Sequence, residues 1–143
     1  MTFVLDASVA LSWLLEDAAG RDGPYAFGIL KALRTGDTQC SVPVVWGLEV
    51  ANVVARCESK AHVTEAQSEA YLEMLRELAV QIDIVSAGQS LAQTLQLARR
   101  YHLSAYDASY LELALRLSCP LATLDANLRR AAEKAGVRRF KPA

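Results

Sequence analysis

Short apolar runs alternate along this chain with longer stretches whose apolar residues recur every three or four positions. The runs read as buried strands and the longer stretches as amphipathic helices. Phe3-Val4-Leu5 predicts a fully buried strand of the parallel type. Val9, Leu11, Trp13, Leu14 and Leu15 predict a short helix, interrupted by Gly20, Gly23 and Pro24. Tyr25, Ile29, Leu30 and Leu33 form the next helical stripe, closed by Gly36, and Cys40-Ser41-Val42 is a second strand. Pro43 fits the first turn of a helix running to about Ser59. Thr64-Glu65-Ala66-Gln67 has the pattern of a capping box, followed by the apolar face Tyr71, Leu72, Leu75 and Leu78. Val80 to Val85 alternates as a half-exposed third strand would. Ser86-Ala87-Gly88-Gln89 repeats the capping pattern before Leu91, Leu95, Leu97 and Ala98, and Ser104 caps a helix bearing Tyr110, Leu111, Ala114 and Leu115. Leu121 to Leu124 is a fourth strand, Asp125 starts a helix that ends at Gly136, and Val137 to Phe140 suggests a short edge strand.

Strands alternating with helices predict an α/β fold: a central, mostly parallel sheet of four to five short strands with helices on both faces. With 143 residues the chain suits one domain, spanning 1–143, with no repeat, linker or low-complexity segment. Apolar residues make up 52% of it, which excludes a disordered chain. Net charge is −1, so the overall balance demands neither a nucleic-acid nor a membrane partner. The charge is uneven, though. Arg129, Arg130, Lys134, Arg138, Arg139 and Lys141 stand against Glu133 alone, which is either a solvated helix face or a phosphate-facing patch. Cys40, Cys57 and Cys119 are widely spaced and read as small hydrophobes in a reducing compartment. With only His62 and His102 as imidazoles, a zinc site is not expected. No stretch reaches transmembrane length and no leader pattern precedes the first strand, so the expectation is an unprocessed cytoplasmic protein.

Four acids stand where acids are costly. Asp6 ends the apolar run Thr2 to Leu5, and Asp125 ends the run Leu121 to Leu124. Acids at the carboxyl ends of two buried strands point to the crevice where open α/β sheets bind ligands. Glu49 lies among apolar neighbours with no basic residue four positions away, and Asn52 at i+3 shares its helix face. Asp107 sits at the third position of the Ser104 cap pattern, where an acid also favours the helix dipole. Each has a plainer reading. Asp6 could be a helix cap, although Ser8 would serve equally well; Glu49 could belong to a surface stripe; Asp107 and Asp125 could be caps. If all four converge, their repulsion and desolvation require a cation to offset them. An oxygen-only site of that kind suits Mg²⁺ or Mn²⁺. Thr123, two residues before Asp125, is expected to face the same side as Asp125. Trp13, Trp46, Tyr106 and Tyr110 read as core residues rather than stacking platforms.

Val4-Leu5-Asp6-Ala7-Ser8, Glu49-Val50-Ala51-Asn52, Leu103 to Ala108 and Leu121 to Asp125 together resemble the PIN-domain ribonucleases, and among them the VapC-type toxins. The resemblance runs through nearly the whole chain. It implies a PIN-like three-layer α/β/α sandwich and a metal-dependent endoribonuclease acting as the toxin of a toxin–antitoxin pair. Asp6, Glu49, Asp107 and Asp125 would be the catalytic, metal-holding acids, and Ser8, Asn52 and Thr123 their supporting polar residues. Many relatives carry a further acid where this chain has Asn127, which keeps an oxygen ligand but loses a charge. The resemblance also implies an RNA substrate, a homodimer and a cognate antitoxin that brings a basic segment to the acids.

Two competitors follow from the same acids. A catalytically weak PIN-like binding module would use the acidic groove only to dock a basic peptide. A two-component receiver domain would need paired acids after the first strand and a Lys after the last, and Asp6-Ala7 lacks the pair.

Overall fold

The computed structural model describes residues 1–15, 22–85 and 87–143. Gly20 and Ser86, and with Ser86 the second capping box, lie outside them. Strand β1 (Thr2–Leu5) leads into α1 (Ala7–Leu15), and α2 (Gly23–Arg34) precedes β2 (Gln39–Val42). Helices α3 (Val45–Ser59) and α4 (Glu65–Glu77) follow, then β3 (Gln81–Ile82), α5 (Ala87–Tyr101), α6 (Ala105–Leu117), β4 (Leu121–Ala122) and α7 (Ala126–Lys134).

The four strands form one sheet in the order β3-β2-β1-β4, parallel throughout. Phe3, Val4 and Leu5 of β1 are fully buried, as a central parallel strand covered on both faces must be. Helix α6 packs against β1, β4, α5 and α7, while α1 packs against α2 and α3. Two helical groups thus enclose the sheet, in the three-layer arrangement.

Local chemistry explains most of the boundaries. The Thr64 box is complete: Gln67 N donates to Thr64 Oγ1 at 3.1 Å, and Thr64 N donates to Gln67 Oε1 at 2.8 Å. Gly36 and Gly136 take positive φ values of 80° and 83° just beyond α2 and α7, where an L side chain would be strained. Pro43 lies before α3 rather than in its first turn, and its carbonyl accepts from Trp46 N.

Two strands are shorter than predicted. β3 is Gln81–Ile82, not Val80 to Val85, and neither residue is buried. Its partner β2 ends at Val42, and Pro43 has no N–H to continue the ladder. Ile84, predicted within the strand, is therefore 90% exposed. β4 stops at Ala122 instead of Leu124, because the amides beyond Thr123 turn to side chains: Leu124 N donates to Ser8 Oγ and Asp125 N to Thr123 Oγ1. The expected edge strand Val137 to Phe140 shrinks to one parallel bridge between Leu121 and Arg139. There Phe140 stacks on Phe3 with ring centroids 3.9 Å apart.

Candidate active site

The early end of β4 is what builds the site. Asp6 follows β1 directly, and its backbone N–H donates to Ala122 O at 2.9 Å. The carboxyl ends of β1 and its edge-strand neighbour β4 are therefore side by side, with Asp6 just beyond one and Thr123 just beyond the other. Both residues are buried, at 3% and 2% exposure. Thr123 Oγ1 donates to Asp6 Oδ2 at 2.7 Å, and Ser8 Oγ donates to the same oxygen at 2.6 Å. Ser8, in the first turn of α1, is thus not a free helix cap: it holds Asp6 and also accepts from Leu124 N at 3.0 Å.

Thr123 ties Asp6 to Asp125 by accepting from Asp125 N at 3.0 Å. Asp125 caps α7 as well, its Oδ1 accepting from Leu128 N at 2.8 Å. The capping and functional readings of Asp125 hold together, since one oxygen does the capping. Asp107 lies in the first turn of α6, capped by Ser104, whose Oγ accepts from Asp107 N at 3.1 Å. Glu49 projects from α3, and Tyr110 OH donates to its Oε1 at 2.7 Å.

The four acids feel one another. Burial raises the pKa of Asp6, and the charge of Asp125 raises it further against the lowering effect of the Ser8 and Thr123 hydroxyls. Burial, then the charges of Asp6 and Asp125, push Asp107 up to about 6. Glu49 is raised by burial first and then by Asp6 and Asp107, with the Tyr110 hydroxyl pulling the other way. Mutual repulsion of this kind is the mark of carboxylates converging on one place.

The donors are suited to a hard divalent cation: they are carboxylate and hydroxyl oxygens. Among the described residues no group of three or more acidic, His or Cys side chains lies close enough together to hold an ion. Mg²⁺ needs none, because it keeps several waters and takes only one or two carboxylates. A cavity of about 740 Å³ between α5 and α6, lined by Gln93, Leu97, Arg100, Leu115 and Arg116 among others, is touched by none of the four acids. The acids sit instead at the carboxyl ends of the strands.

Not every predicted residue joins them. Asn52 is exposed one turn along α3 from Glu49, and among the described residues it hydrogen-bonds to none of the acids. Asn127 is exposed too, its Oδ1 engaged by Arg130 Nη2. Arg139, from the basic run, stacks its guanidinium 3.8 Å above the Tyr25 ring. Tyr106, expected in the core, is 63% exposed, since the first turn of α6 stands at the surface. Tyr110 is in the core as expected, but its hydroxyl was missed. Its spacing of i+3 from Asp107, on one face of a helix, is the signal that could have found it.

The sequence matches the PIN domain family over residues 3–134. The chain belongs to the PIN-domain family. Its relatives include the VapC ribonuclease Mb0985 of Mycobacterium bovis and ribonuclease VapC9 of Mycobacterium tuberculosis, each 32% identical over 126 residues, 87% of either chain. The structure is also similar to that of PAE2754 from Pyrobaculum aerophilum, with a TM-score of 0.65 at 20% identity, covering 92% of this chain and 79% of the other. That likeness shows the PIN fold; in this chain Asp6 follows β1, Glu49 lies on α3, Asp107 on α6, and Asp125 caps α7. Among the described residues no helix of this PIN domain is long and apolar enough to cross a membrane.

Proposed function

We propose that this PIN domain is an endoribonuclease that hydrolyses RNA phosphodiesters with Mg²⁺ or Mn²⁺, as the toxin of a toxin–antitoxin pair. The observation that carries this reading is the buried Asp6, held by two hydroxyls and set in the field of Asp125. An acid so placed costs stability, and binding a cation is what would offset it. Asp6, Asp107 and Asp125, with Glu49 beside them, would hold that cation, which when bound supplies a water of lowered pKa and neutralises charge on the phosphoryl oxygens. Ser8 and Thr123 fix the rotamer of Asp6, so its remaining oxygen has one direction to point. Glu49, with Oε1 engaged by Tyr110, would offer its other oxygen to the cation, and one of the four carboxylates would accept the proton of the attacking water. Arg129 and Arg130, one turn into α7 from Asp125, would grip the RNA backbone.

The same acids give the cognate antitoxin its docking point, a basic side chain taking the cation's place. Function as a homodimer belongs to this reading also. A binding module without activity would not need all four acids, and all four are present.

The test is cleavage of a structured RNA pool by antitoxin-free protein in Mg²⁺, Mn²⁺ or EDTA, with Asp6→Asn alongside. Cleavage that needs metal and is lost in a folded Asp6→Asn protein is expected. Full activity in that variant, or in EDTA, would overturn the mechanism.

A further inference from the structure

Three of the four acids have one carboxylate oxygen engaged by a donor within the protein. Asp6 Oδ2 takes both hydroxyls, Asp125 Oδ1 takes Leu128 N, and Glu49 Oε1 takes Tyr110 OH. A carboxylate bound in this way offers a cation its other oxygen, and so one ligand rather than two. Mg²⁺ and Mn²⁺ are served well by single oxygens in octahedral geometry with water in the remaining positions. Ca²⁺ is larger, takes six to eight oxygens and draws on two-oxygen carboxylates.

Glu49 is the acid whose state is most easily changed. It is half-exposed on a long flexible side chain, and one bond restrains it. That bond comes from a phenol whose residue is fully buried, so packing in the core fixes the position of the hydroxyl. We propose that Tyr110 is a positioning residue that holds Glu49 to one free oxygen and thereby gives the acidic site a preference for Mn²⁺ and Mg²⁺ over Ca²⁺. This rests on the metal-dependent reading above.

The experiment is Mn²⁺ binding followed by electron paramagnetic resonance, with Ca²⁺ as competitor. The proteins are the wild type, Tyr110→Phe, Glu49→Ala and the double variant. Phe keeps the buried ring, so the variant is expected to fold, and thermal melts check this. Tyr110→Phe should weaken Mn²⁺ about tenfold, the usual scale for losing a partner of a metal-holding side chain. Ca²⁺ should compete as well as before or better. With Glu49 already removed, the same substitution should change nothing further. An unchanged Mn²⁺-to-Ca²⁺ preference in Tyr110→Phe overturns the proposal and leaves the metal reading standing. An effect that persists without Glu49 overturns it too, because Tyr110 would then act through packing alone. Folded wild-type protein that binds no Mn²⁺ overturns the metal reading and this proposal together.

Discussion

Thr123→Val tests the site at its joint. The side chain is 2% exposed; its hydroxyl donates to Asp6 Oδ2 at 2.7 Å, accepts from Asp125 N at 3.0 Å and lies 3.5 Å from Ser8 Oγ. Val has a similar shape but no hydroxyl. Losing the bond to a charged group costs about 1.5–3 kcal/mol, and an amide left without its acceptor costs roughly 1 kcal/mol where water can partly replace it. The sum is about 3 kcal/mol. Unfolding entropy of about 2.1 cal/mol/K per residue gives roughly 0.3 kcal/mol/K for a chain of this length, so the melting temperature should fall by about 10 °C. Single-turnover RNA cleavage should slow about 10- to 100-fold as Asp6 and Asp125 lose their common tether.

Thr123→Ser separates the hydroxyl from the methyl group. It keeps both bonds and removes one buried methyl, worth about 0.8 kcal/mol, or roughly 3 °C. Its cleavage rate should stay within a few-fold of the wild type. Thermal melts and single-turnover assays on the three proteins decide the matter. A Thr123→Val protein with wild-type melting and rate would refute the reasoning. So would a Ser variant as damaged as the Val variant, since the methyl would then matter and the hydroxyl would not.

Acidity should show the strain among the carboxylates. Asp6, Glu49 and Asp107 have folded pKa values above their unfolded ones, with Asp107 at about 6. Their contribution to stability is therefore fully present below the unfolded values and is lost as pH rises through the folded ones. In EDTA the protein should melt lower at pH 7.5 than at pH 5; saturating Mn²⁺ should remove or reverse that difference, and melting that rises with pH in EDTA would contradict the account. A second prediction concerns Arg116, which bridges Asp83 at 2.7 Å and the buried Glu112 at 2.8 Å. Arg116→Leu should cost about 2 kcal/mol in urea unfolding, because it leaves Glu112 without its partner. Breaking the exposed Arg76–Glu73 pair should cost under about 0.5 kcal/mol, and equal losses in the two variants would count against burial as the cause.

The order of elements was legible because it rests on local chemistry. Thr64 and Gln67 carry their cap in four residues, and Phe3-Val4-Leu5 announces a doubly covered strand by having no polar position at all. Strand ends were not legible, because they are set by the partner. Val80 to Val85 has the pattern of a six-residue strand, yet β3 ends where Pro43 ends its neighbour. The acids could be singled out only as a set, since each had a plainer reading and Asp125 does cap its helix. What no spacing could show is which oxygen of each is free. That depends on Ser8, Thr123 and Tyr110 arriving from three different elements, and Tyr110 reads in the sequence as one more apolar position of α6.

The same groups explain why a site made of repelling charges folds at all. Each acid is favoured by something that local structure supplies anyway. Asp125 caps the helix it begins, Asp107 lies in a first turn where the helix dipole favours it, Glu49 takes the Tyr110 hydroxyl, and Asp6 takes those of Ser8, in the first turn of α1, and Thr123, just beyond β4. Every one of these interactions favours the ionised form, and so works against the desolvation and repulsion that raise the pKa values. They do not cancel it, since Asp107 remains near 6. The unbalanced remainder is the free energy a cation can draw on when it binds. Weakening the donors should therefore reduce both stability and metal affinity, whereas neutralising an acid such as Asp6 should raise the stability of the metal-free fold while abolishing binding. Opposite signs for Thr123→Val and Asp6→Asn in EDTA melts would separate the scaffold of the site from the charge it carries.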